Sequence, residues 1–63
     1  MFEQPFKVGD IIREKYTQNF FLVLEEIPSE RTGHITHFYV KNLETSVQMP
    51  ISWIRFDEYV VWE

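Results

Sequence analysis

A small all-β domain of about five antiparallel strands follows from three features of this sequence. Short runs rich in β-branched and aromatic residues recur along the chain, turn residues separate them, and no stretch carries a persuasive helical period. The clearest turn-to-strand passage is Lys7-Val8-Gly9-Asp10-Ile11-Ile12-Arg13. Gly9 can take a backbone conformation that a Cβ would strain, Asp10 can hydrogen-bond nearby backbone, and the two isoleucines suit a pleated strand.

The elements follow in order. Residues 1–6 form a lead-in kept extended or turning by Pro5. The first strand is expected over 8–14, and the polar segment 15–19 is a loop. Phe20-Phe21-Leu22-Val23-Leu24-Glu25-Glu26-Ile27 reads as the strongest strand, with a nearly continuous apolar run suited to burial on both faces. Residues 28–34 form a polar hairpin connection with Gly33 at positive φ. The next strand, 35–41, has Phe38 and Val40 on one face and His37, Tyr39 and Lys41 on the other. A tight turn over 42–46 leads to a short strand, 47–49, whose ladder pairing Pro50 should end. Ser52 is placed to cap a single helical or 3₁₀ turn over 52–55, and 59–62 closes the sheet. Strand parity then predicts an inward set of Val8, Ile12, Leu22, Leu24, Ile27, Phe38, Val40, Val47 and Val60, with the parity of 20–24 open to a shift by a bulge.

Composition bounds what such a domain can be. Sixty-three residues make one domain, 1–63, too small for a second core or a deep substrate cleft. Cysteine is absent, which excludes disulfides and thiolate zinc sites, so packing must hold the fold. Six Phe, three Tyr and two Trp supply large buried area per residue. No apolar run approaches the ~20 residues of a membrane-spanning helix, and a cytoplasmic location is the expectation. Six basic against ten acidic residues give a net charge of −4, which weakens the case for nucleic acid because phosphate neutralisation supplies much of such affinity.

The order of a Gly-Asp turn into an apolar strand, the pair 20–27 and 35–41, and the turn over 50–54 before a last strand resembles the SH3-like small barrel shared by SH3, KOW and Tudor domains. The resemblance spans nearly the whole chain and implies a closed barrel in which a 3₁₀ turn returns the last strand beside the first. The acidic loop and paired tyrosines with which SH3 domains grip proline-rich peptides have no match. Nor does the KOW glycine stand directly before Leu22-Val23-Leu24. The fold is therefore implied, and the ligand is not. A compact, aromatic-rich chain of this kind also resembles the small accessory proteins common in phage genomes.

Residues able to do chemistry have plain structural readings. His34 and His37 are three apart, which on a strand puts them on opposite faces, so they do not jointly ligate a metal. Glu25-Glu26 and Asp57-Glu58 also diverge as strand neighbours, and acid–base work needs a carboxylate of shifted pKa in a pocket. Ser29, Ser46 and Ser52 stand in turn contexts. No enzyme activity, cofactor or metal is expected. The aromatics outnumber what so small a core can enclose, so some should be exposed and contiguous. Tyr39 and Trp53, near carboxylates such as Glu44 or Asp57, are the expected partner-binding residues, forming an aromatic and acidic surface for a protein with a basic face. The alternatives are a nucleic-acid-associated barrel of KOW or Tudor type, and a structural subunit that self-associates through a strand edge.

Overall fold

In the computed structural model, which describes residues 5–62, one antiparallel sheet organises the chain. Its strands are β1 (Ile11–Glu14), β2 (Phe20–Pro28), β3 (Ile35–Asn42), β4 (Gln48–Ser52) and β5 (Tyr59–Val61), and a 3₁₀ helix (Trp53–Glu58) joins the last two. The spatial order is β4-β3-β2-β1-β5. The last strand returns beside the first, with Ile12 opposite Val61 and Glu14 opposite Tyr59. The sheet is nevertheless open. β4 and β5 are its two edges, and the 3₁₀ helix packs between them rather than a sixth ladder closing the ring.

Turn chemistry sets the strand boundaries. Gly9 has φ +96°, and its N–H donates to the Val23 carbonyl at 2.9 Å while Asp10 Oδ2 accepts from the Lys7 N–H at 2.9 Å. This turn occupies 8–9, so β1 begins only at Ile11, and Val8, expected inside, is 56% exposed. Gly33 has φ +76° in the β2–β3 connection. In the β3–β4 turn, Asn42 Oδ1 accepts from the N–H groups of Glu44 and Thr45, an Asx arrangement that tightens the reversal. Val47 lies in this turn region, before β4, and is 58% exposed where an inward position was expected.

The core is Phe6, Ile12, Phe21, Val23, Phe38, Val40, Ile51 and Tyr59. Ile12, Phe38 and Val40 were expected there. Leu22 and Leu24 were too, but they are only half-buried, and the alternate residues Phe21 and Val23 point inward. Register decides this: Ile12 faces Phe21, Val40 faces Val23, and paired residues share a face. A bulge then shifts the register between Val23 and Glu25. Ile27 and Val60 are likewise half-buried rather than core, and Tyr59 takes the inward place on β5.

Pro50 does not end the ladder. It pairs with Tyr39 inside β4, an edge strand. The Asn42 N–H donates to the Val47 carbonyl, so hydrogen-bonded pairs alternate from 42/47, and position 50 turns its nitrogen away from β3. A missing N–H costs nothing there. Ser52 precedes the 3₁₀ helix in extended conformation and makes no side-chain cap, contrary to expectation.

Candidate interaction surface

The register that buries Phe21 and Val23 places another set of side chains on the opposite, outer face of the sheet. Val60, Arg13 and Phe20 form one row across β5, β1 and β2. Next to it, Ile11, Leu22, Lys41 and Gln48 continue across β1 to β4, and Trp62 joins that row through its N–H, which donates to the Ile11 carbonyl at 2.7 Å. Trp62 is 56% exposed and stands edge-on to Phe20, with ring centroids 5.1 Å apart. Beyond the bulge, Glu25, Tyr39 and Pro50 form a further row. The 3₁₀ helix turns its Phe56 toward Phe6 and Phe38 in the core, so it does not cover this outer face.

Tyr39 is therefore half-buried on the outer face of β3, and its in-register carboxylate is Glu25. Trp53, 63% exposed, opens the 3₁₀ helix, and exposed Asp57 lies on the same helix. Glu44 occupies the turn beyond Asn42, while Trp53 follows Ser52, which faces His37. The five steps from His37 to Asn42 correspond to roughly 17 Å of strand. Trp53 and Glu44 are thus at opposite ends of the β3–β4 hairpin. Among the described residues, no hydrogen bond, ion pair or ring contact links any two of Tyr39, Trp53, Glu44 and Asp57. The pairing of Phe20 with Trp62, and of Tyr39 with Glu25, needed the strand register, and parity within one strand does not supply it.

Charge is unevenly engaged. Among the described residues, the ion pairs are those of Arg55 with Glu14 at 3.5 Å and with Glu58 at 3.2 Å. Its hydrogen bond to Glu58 raises Arg55 above its ordinary pKa. Arg13 bonds through Nη1 to the neutral Gln18 Oε1 at 2.8 Å and has no carboxylate partner among the described residues. Among the described residues, no group of three or more His, Asp or Glu is arranged to hold a metal. His37 Nδ1 is 3.0 Å from Thr36 Oγ1, and His34 lies in the β2–β3 connection. No described helix is long and apolar enough to cross a membrane. Compared with protein-family models, curated proteins and solved structures, the chain has no significant match.

Proposed function

We propose that this chain is a non-enzymatic protein-binding module on an SH3-like small-barrel layout, and that it engages its partner through the outer face of the sheet. The layout is supported by the strand order, with the last strand beside the first and a 3₁₀ helix before it. The observation that carries the binding reading is Trp62, largely exposed against Phe20 and beside Ile11 and Leu22. A contiguous aromatic and aliphatic surface of this kind marks a contact site, and Trp is one of the residues enriched as its anchors. Tyr39 extends the same face, with Glu25 in register beside it in place of the expected Glu44 or Asp57.

The test is a pull-down from the source organism with wild-type, Trp62→Ala, and Tyr39→Ala/Trp53→Ala baits of matched melting temperature. A specific protein retained by wild type and lost with Trp62→Ala supports the outer face. Loss only with the double variant moves the site to Tyr39 and Trp53. Equal retention by all three overturns both. A nucleic-acid reading has one observation in its favour: Phe20, Trp62 and Tyr39 share a face with Arg13 and Lys41, as in stacking platforms. The net charge of −4 opposes it, and salt-sensitive retention of single-stranded nucleic acid is its signature.

A further inference from the structure

We infer that the Trp62 end of the outer face receives an acidic, apolar protein segment, with Arg13 and Lys41 as the cations that fix it; this rests on the protein-binding reading above. Although acidic residues outnumber basic ones in the chain, the charged members of the two rows that meet at Trp62 are, among the described residues, Arg13 and Lys41. Arg13 lies between Val60 and Phe20, and Lys41 adjoins Leu22. Neither is ion-paired within the described residues, whereas Arg55, on the 3₁₀ helix, takes Glu14 and Glu58. Lys41 continues the row of Ile11 and Leu22, and Arg13 stands in the next row beside Ile11, so the two cations are two strands and two residues apart, roughly 12 Å.

Charge complementarity then selects the occupant. A segment that lays apolar side chains on Trp62, Ile11 and Leu22 while presenting two carboxylates satisfies both cations as the contact is dried. A second copy of this chain presenting the same face is the poorer fit, because it would set Arg13 and Lys41 against the same two cations instead of carboxylates. The partner chemistry is thus opposite in sign to the basic partner that net charge suggests, since the local rows and not the total decide the contact.

Two short peptides of identical apolar sequence, one with Glu and one with Lys at the intervening positions and neither containing Trp, test this directly. The Trp53→Phe protein leaves Trp62 as the fluorescent reporter. The Glu peptide should shift Trp62 emission and bind at least about tenfold more tightly than the Lys peptide, and Arg13→Gln/Lys41→Gln should abolish that preference. Equal binding, preference for the Lys peptide, or no binding of either overturns the inference. So does displacement of the Glu peptide by oligothymidylate at physiological salt, which would assign the face to nucleic acid. A dimer in sedimentation that is lost with Trp62→Ala overturns it in favour of a second copy. A partner that requires Trp62 in the pull-down, with no peptide preference, would leave the binding module standing and remove only the acidic occupant.

Discussion

Gly9 shows how much a single residue decides. Its φ of +96° lies where side chains are strained, yet nothing would lie within 4 Å of an added Cβ. The cost of substitution is therefore conformational rather than steric. Gly9→Ala should lower unfolding free energy by about 1–3 kcal/mol in urea titrations, and Gly9→Val by at least as much, because β-branching adds to the strain at positive φ. Urea midpoints unchanged from the wild type in both variants would show that the turn tolerates a side chain there. Tyr59 makes the second residue-scale prediction. Burial raises its phenol pKa above the ordinary 10.0, against the pull of the Arg55 charge, whose Nη2 lies 3.5 Å from the hydroxyl. A raised folded-state value means that the folded protein holds this proton more tightly than the unfolded chain. The resulting stability is complete below pH 10.0 and lost as the pH rises through the folded value. Urea midpoints should accordingly fall above that pH, and Tyr59→Phe should remove part of the fall.

At the scale of elements, five strands and a 3₁₀ turn were legible because turn residues bracket them: Gly9, Asn42 and Gly33 each sit where the chain reverses. Which face of β2 turns inward was not legible. Both faces of Phe20–Leu24 are apolar, and only cross-strand partners such as Ile12 and Val40 break the tie. The same limit hid the meeting of Phe20, on β2, with Trp62, just past β5, since β1 lies between those two strands. Pro50 was read as a stop because its place on an edge was not visible. On that edge it protects: the position facing away from β3 offers no N–H to a passing strand. Pro50→Val should restore that donor with little change in melting temperature. Sedimentation should then show concentration-dependent association absent from the wild type, and a variant that stays monomeric would show that Pro50 does not guard the edge.

For the molecule as a whole, an open five-stranded sheet leaves its core exposed unless something fills the mouth between the edges. Phe6, from the segment ahead of β1, does this. It is buried edge-on against Phe38, Phe56 and Tyr59, at centroid distances of 5.3, 5.7 and 6.5 Å. One side chain thus ties the lead-in, β3, the 3₁₀ helix and β5 into a single core, which compensates for the missing ladder between β4 and β5. Removing so large a buried ring costs about 3–5 kcal/mol. Total stability for small domains begins at about 5 kcal/mol, and this chain has no disulfide to add to it. Phe6→Ala should therefore leave the chain largely unfolded at ambient temperature, with lost amide dispersion in NMR spectra. Phe6→Leu, which keeps most of the apolar volume, should remain folded with a lowered melting temperature. If Phe6→Ala instead melts cooperatively near the wild-type temperature, the sheet and 3₁₀ helix hold together without the plug, and the mouth is closed by residues other than Phe6.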